Sequence, residues 1–197
     1  MNPVTHGLLS WLVANCPRET TRRERVLVTV GGLIPDIDGV GAVPDLITRR
    51  LSETPTSYFH EFHHLLHTLP FALAVTAGAA ALAPATARVR TAALFFVTFH
   101  LHLLCDIAGS RGPDGSQWEI PYLWPLSHEP QLSWSGQWPL DAWPNVAITV
   151  ACLLAAGWLG VRRGRTILEV LWLRGDAEVV RTLRARFGGP PAPRPPA

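Results

Sequence analysis

The sequence predicts an all-α fold, a membrane-associated helical bundle with one long irregular loop rich in tryptophan. Three observations predict it. Hydrophobic residues make up 48% of the 197-residue chain and charged residues only 16%, against ~25% charged in an ordinary soluble domain. Residues 142–161 form an uncharged run of twenty, long enough as a helix to cross the ~30 Å hydrocarbon core of a bilayer. Arginines also gather at alternate ends of the apolar segments. If chain direction reverses at each helix, one side receives Arg18, Arg22, Arg23, Arg25, Arg88, Arg90, Arg162, Arg163 and Arg165. The other receives Arg49, Arg50 and Arg111. Any bundle collects some arginine in its loops, but nine against three follows the positive-inside bias of membrane proteins.

The elements follow in order. Thr5 is suited to cap a short helix that runs to Cys16 and ends at Pro17. Residues 7–16 are apolar but lack a preceding basic stretch, so they read as a helix and not as a cleaved signal. A second apolar segment, Val26 to Ile34, stops at Pro35. Residues 39–57, with Gly39, Gly41, Pro44 and Pro55, read as loop. A helical pattern runs from Ser57 to Ala83; its uncharged part, residues 68–87, is interrupted by Pro70, Gly78 and Pro84 and is a weaker span than 142–161. Thr91 to Asp106 forms another apolar helix. Residues 107–141 are an irregular loop or lid. An amphipathic basic helix covers 166–187, and Pro, Ala and Gly make 188–197 a disordered tail. Residues 1–187 therefore form one domain.

Composition excludes several function classes. The formal net charge is +2, too small for a broad nucleic-acid-binding surface, and no nucleic-acid partner is expected. Cys16, Cys105 and Cys152 are three in number and form no CxxC pair, which argues against a disulfide framework or a cysteine-built zinc knuckle. Walker, Rossmann and G-x-S-x-G signatures are absent. The distinctive feature is histidine: seven of the eight lie between His6 and His102.

Alternating helix direction carries the hard ligands to the end opposite the arginines. His6 opens the first helix. Asp36 and Asp38 close the second. His60, His63, His64 and His67 open the third, spaced by three and four so that a helix presents them on one face. His102 and Asp106 close the fourth at i,i+4. Each piece has a plainer reading: a terminal histidine is commonly solvated, and Pro-Asp pairs favour turns. Four imidazoles on one stripe beside an apolar run are costly without partners, and a buried Asp106 needs a cation or a hydrogen bond. His100 lies on the opposite face and packs. Ligands projecting inward from facing helices are how bundles build metal sites. Imidazole and carboxylate without thiolate suit a divalent transition metal, zinc foremost, and the surplus of ligands leaves room for two ions. Asp38 and Asp106 are the candidate catalytic carboxylates. His60, Glu61 and His64 also read as H-E-x-x-H, a zincin-like peptidase signature, although Glu61 would sit ~100° around the helix from His60. A non-catalytic metal-binding or partner-binding membrane protein is the alternative from another class.

Five stretches carry a resemblance when taken in order: Thr5-His6-Gly7-Leu8-Leu9, Leu33-Ile34-Pro35-Asp36-Ile37-Asp38, Phe62-His63-His64-Leu65-Leu66-His67-Thr68, Leu101-His102-Leu103-Leu104-Cys105-Asp106 and Leu123-Trp124-Pro125. Together they resemble the YdjM-like group of membrane-bound metal-dependent hydrolases, over roughly residues 1–130. The resemblance implies a bacterial inner-membrane location and a fold similar to the all-helical zinc-dependent phospholipase C and single-strand nuclease group. It also implies phosphoester hydrolysis at a multinuclear zinc site, with His6, Asp36, Asp38, His67, His102 and Asp106 as ligands. One motif departs. The group reads His-Arg-x-x-Thr-His-Ser where this chain has Phe62 in place of the first histidine, Leu66 in place of threonine, and no arginine. His63 or His64 then replaces the missing histidine, and the group that would hold a phosphate is left open.

The loop holds Trp118, Trp124, Trp134 and Trp138, suited either to a lid at the membrane interface or to packing that stiffens a long segment. His128 is not expected to be a ligand. The sequence reading is thus a membrane-bound, zinc-dependent phosphoesterase acting on a substrate such as a phospholipid headgroup. Its site should lie at the non-cytoplasmic end, with the bilayer as its partner.

Overall fold

A computed structural model describes residues 1–52, 54, 56, 58, 63–112 and 114–189. Seven α-helices account for most of these residues: α1 Pro3–Ala14, α2 Arg22–Gly31, α3 Ala42–Leu51, α4 Leu69–Leu82, α5 Arg88–Gly109, α6 Trp143–Arg163 and α7 Leu173–Phe187. A two-stranded antiparallel ribbon, β1 Ile120–Pro121 and β2 Gln131–Leu132, interrupts the long loop, with Ile120 opposite Leu132. The expected all-α class holds.

Local chemistry sets the helix starts. Asn2, rather than Thr5, caps α1: its side chain accepts from the Thr5 amide at 2.9 Å, and Pro3 follows as the first helical residue. Thr21 and Glu24 form a capping box at α2. Thr68 caps α4, with Pro70 in its first turn. Other helix starts also differ from those the sequence predicts, the last helix among them, which begins at Leu173 after a 3-10 turn at Ile167–Val170 and not at 166. Residues 63–68 are turn, so α4 begins at Leu69 and not near Ser57. Residues 42–51, read as loop, form α3; Pro44 lies in its first turn, where a missing N–H costs nothing.

Among the described residues, two helices are long and apolar enough to cross a membrane: α6, and α5 extended through the preceding turn to Ala85–Gly109. The pair Arg22–Gly31 and Pro35–Leu51 passes the same test as one element bent by 56°. The shorter α4 is apolar but has only 14 residues. Large apolar side chains stand exposed on these helices, including Val97 and Leu104 on α5 and Val150, Leu153 and Leu154 on α6. Water would penalise such a surface and lipid does not.

One core cluster joins α1 to α6 through Leu8, Trp11, Cys152, Ala156 and Leu159. A second joins α4, α5 and β1 through Ala72, Phe99, Leu103 and Ile120. Close approach of α2 to α5 depends on Gly31, where an added Cβ would lie 2.6 Å from Thr98 Oγ1.

The bundle has two chemically distinct ends. At one, Arg25 forks onto buried Glu169 at 2.5 and 2.6 Å, Trp11 Nε1 donates to the same carboxylate at 3.0 Å, and Arg90 pairs with Glu24 at 2.5 Å. Arg163 and Arg165 both bind Asn15 there. Along α5 the sixteen residue steps from Arg90 to Asp106 carry the chain about 24 Å to the opposite end.

Candidate metal centre

At that opposite end, four segments converge. Asp36 and Asp38 lie in a short 3-10 helix, Pro35–Gly41, directly after α2. His63 and His67 come from the turn before α4, and His102 and Asp106 from the last turns of α5. His6 contributes from the first turn of α1. The expected shared helix face for the histidine run is therefore corrected: a turn, folded back over Asp38, carries His63 and His67 to the site. The turn is fixed by Asp38 itself, whose carboxylate accepts from the Leu66 amide at 3.0 Å and from His63 Nδ1 at 2.6 Å.

Hydrogen bonding decides which imidazole atoms face the centre. His102 Nδ1 is 2.9 Å from the carbonyl oxygen of Gly32. A carbonyl only accepts, so Nδ1 carries the proton and a neutral ring turns the Nε2 lone pair inward. That atom lies 2.9 Å from Asp106 Oδ2, 3.2 Å from His67 Nε2 and 3.6 Å from Asp36 Oδ1. Carboxylate oxygens and imidazole nitrogens thus crowd one point with their lone pairs. Such a set repels itself unless a cation or a proton sits among its members. His6 stacks on His102 with ring centroids 3.8 Å apart, and its Nε2 lies 3.2 Å from Asp106 Oδ1. The amino group of Met1 and the Ser110 hydroxyl also contact Asp106.

Donor atoms fall into two groups that satisfy metal-ligand spacing: Asp36, His67, His102 and Asp106, and Asp38, His63 and His67. His67 belongs to both, turning Nε2 toward the first and Nδ1 toward Asp38 Oδ2 at 3.4 Å. A cation fits this donor set. His6 Nδ1 and Asp36 Oδ2 are buried without a hydrogen-bond partner, and unsatisfied buried atoms of this kind call for an occupant. Electrostatics agree. Burial pushes the His6 pKa below its ordinary value, leaving a neutral ring. Burial opposes charge on His67 as well, but Asp106 and Asp38 outweigh it and lift its pKa to about 9. The pocket therefore favours a positive charge at His67.

The family model of the YdjM inner membrane protein matches residues 1–175. The chain belongs to the YdjM inner membrane protein family. It matches no curated protein and no solved structure. Family and span-length helices together place this YdjM-family chain in the inner membrane.

Most residues singled out in the sequence come together. His63, His67, His102, Asp36, Asp38 and Asp106 supply the two groups, and His6 borders the first. His64 shares the turn but joins neither group among the described residues. His60 and Glu61, on which the peptidase signature rests, lie outside the described residues, as does the tail from residue 190. His100 packs elsewhere, with Nε2 2.8 Å from the Tyr122 hydroxyl, and His128 is exposed on the loop. Of the loop tryptophans, Trp118 lies against the cluster, its ring 5.0 Å from that of His63. Trp138 instead donates to Asn145 at 2.8 Å, and Asn145 Nδ2 binds the Gly109 carbonyl at 2.9 Å, tying the loop to the end of α5. Gln137 secures it further by donating to the Asp106 carbonyl at 3.0 Å and accepting from the Trp118 amide at 2.7 Å.

A cavity of about 550 Å³ opens on the cluster. Asp36, His63, Asp106, Ser110, Arg111 and Trp118 are among the residues that line it. Asp38 does not line the cavity, whereas Asp36, Asp106 and Asp114 do. Sequence spacing gave no signal for Arg111, Ser110 or Gln137, which reach the site only through the fold of the loop.

Proposed function

We propose that this chain is a membrane-bound, zinc-dependent hydrolase of phosphoesters, with a phospholipid headgroup as the substrate class. The observation that carries the reading is a buried carboxylate–imidazole cluster that opens into a cavity large enough for a headgroup. Asp36, His67, His102 and Asp106 would hold one ion, and Asp38, His63 and His67 a second. Divalent ions in such sites polarise phosphoryl oxygens and activate water for in-line displacement.

The chain's own residues do the remaining work. His102 is fixed in one tautomer by the Gly32 carbonyl, so its Nε2 needs no reorganisation to act as a ligand. Asp38 orients His63 by the same logic. Asp36, half-buried at the cavity with Oδ2 unpartnered, would ligate through Oδ1 and take at Oδ2 the proton of the water whose oxygen forms the new P–O bond, then return it to the leaving oxygen as the old P–O bond breaks. In this reading Asp36 joins Asp38 and Asp106, the candidate catalytic carboxylates of the sequence; those two hold ligands and metal. Trp118 covers the histidines and limits water at the cluster. With arginine excess on the cytoplasmic face, the cluster faces the non-cytoplasmic side, where exposed Trp143 at the start of α6 marks the interface.

Metal-loaded protein assayed against a generic phosphodiester, a phospholipid and a casein-type peptide mixture tests the reading. Phosphoester turnover that falls ~100-fold or more in Asp36→Asn and persists in Glu61→Gln is expected, because a general base contributes ~10²–10⁴-fold. Peptide cleavage abolished by Glu61→Gln, with no phosphoester turnover, would assign the wrong class of enzyme. Full metal occupancy with no turnover of any substrate would leave a metal-binding scaffold.

A further inference from the structure

We propose that Arg111 and Trp118 form the anion-receiving side of the cavity, where they bind the non-bridging oxygens of a phosphoryl group. This rests on the phosphoesterase reading of the adjacent cluster. Arg111 and Trp118 line the same cavity as Asp36, His63 and Asp106. Both carry a buried N–H without an acceptor: Nε of Arg111 and Nε1 of Trp118. Buried donors are nearly always satisfied, and an unpaired one costs free energy that a ligand can recover.

Arg111 has further capacity. Its Nη2 donates to the Ser135 carbonyl at 2.7 Å, and no carboxylate pairs with its guanidinium among the described residues. The backbone beneath it is fixed, since the Arg111 amide donates to the Trp138 carbonyl at 3.1 Å. A guanidinium offers five N–H donors in a planar fork that matches two phosphoryl oxygens. The lining also holds Asp36, Asp106 and Asp114 together with Met1, so an anion entering the cavity is attracted by Arg111 and by positive charge at the cluster. A phosphoryl group is favoured there over a neutral amide substrate, which offers no anionic oxygens to the guanidinium. Fixed positive charge aimed at developing phosphoryl charge is the usual source of transition-state stabilisation in such chemistry.

Inorganic phosphate is the probe. Calorimetry on detergent-solubilised, metal-loaded protein should show phosphate binding ~10–100-fold weaker in Arg111→Gln, the loss of charge-assisted hydrogen bonds. Trp118→Phe should weaken it severalfold, with metal content unchanged in both. In wild-type protein, phosphate should slow phenylglyoxal modification of Arg111, mapped by mass spectrometry, while Arg49 and Arg50 react as before. This second measurement needs no variant to fold. Equal phosphate affinity in Arg111→Gln, or undiminished modification of Arg111 with phosphate present, overturns the proposal even if phosphoesters are hydrolysed. Protection of Arg111 in a protein that hydrolyses no phosphoester would uphold the anion site and reject the enzymatic reading instead.

Discussion

Asp106→Asn is the most direct perturbation of the centre. The substitution keeps the size of the side chain and one carbonyl oxygen, and it removes a negative charge from a residue only 5% exposed. That carboxylate lies 2.9 Å from His102 Nε2, 3.2 Å from His6 Nε2 and 3.7 Å from His67 Nε2, so it is the charge around which the imidazoles are arranged. A unit charge pair about 4 Å apart is worth ~4 kcal/mol at an effective dielectric of 20. A divalent ion carries twice the charge, which makes ~4 kcal/mol a lower bound, or close to ~1,000-fold in affinity. Elemental analysis of protein purified in detergent and dialysed against metal-free buffer reads the outcome. Asp106→Asn should lose the ion of the four-ligand group; Asp38→Asn should keep that ion and lose only the second. A thermal melt of each variant guards against unfolding. Wild-type metal content in folded Asp106→Asn would refute the assignment of the centre.

Three further outcomes are expected. Glu169→Gln leaves Arg25 buried without its counter-charge and should destabilise the protein by ~3–5 kcal/mol, read as a lowered melting temperature in detergent; a change below ~1 kcal/mol would mean that the arginine end is not a structural lock. His67 has its folded pKa raised from 6.5 to about 9, so in chelated protein its stabilising charge is fully present below pH 6.5 and lost as pH rises through about 9. The chelated wild type should therefore melt progressively lower across that window and His67→Gln should not; parallel curves would dismiss the charge on His67. A single cysteine at Ser135, in a background lacking the native cysteines, should label with an impermeant maleimide in intact cells, and labelling only after lysis would reverse the topology.

The site was more legible in the sequence than the elements that carry it. Ligands at the ends of apolar segments converge whenever successive helices reverse, and this holds whatever the exact helix bounds. The histidine run was misread in detail because spacing of three and four is also what a folded turn can present. Thr68 followed by Pro70 was the available signal that the helix begins after His67. The helix α3 was hidden by Gly39, Gly41 and Pro44, punctuation that marks its start. The second span was underestimated because charge at Arg88 and Arg90 made the helix look like Thr91 to Asp106; long arginine side chains at a helix end reach the interface without ending the span. Arg111 and Gln137 could not be found by spacing, since a loop brings them to the site through long-range bonds to Trp138, Trp118 and the end of α5.

Placement of the cluster at the end of α5 follows from the cost of charge in lipid. Three carboxylates at the bilayer centre would each carry a penalty of several kcal/mol, and the sequence keeps residues 92–105 free of formally charged side chains before Asp106 appears. The arginine end is its counterpart, where Glu24 and Glu169 are neutralised by Arg90 and Arg25. The acidic end is balanced differently: Arg111 donates to a backbone carbonyl, the Met1 amino group pairs with Asp106, and imidazoles face Asp36, Asp38 and Asp106. That contrast gives the two ends different tasks. Matched charges at one end hold the helices together, and at the other the carboxylates are shared among the Met1 amino group and the imidazoles that frame the candidate metal centre.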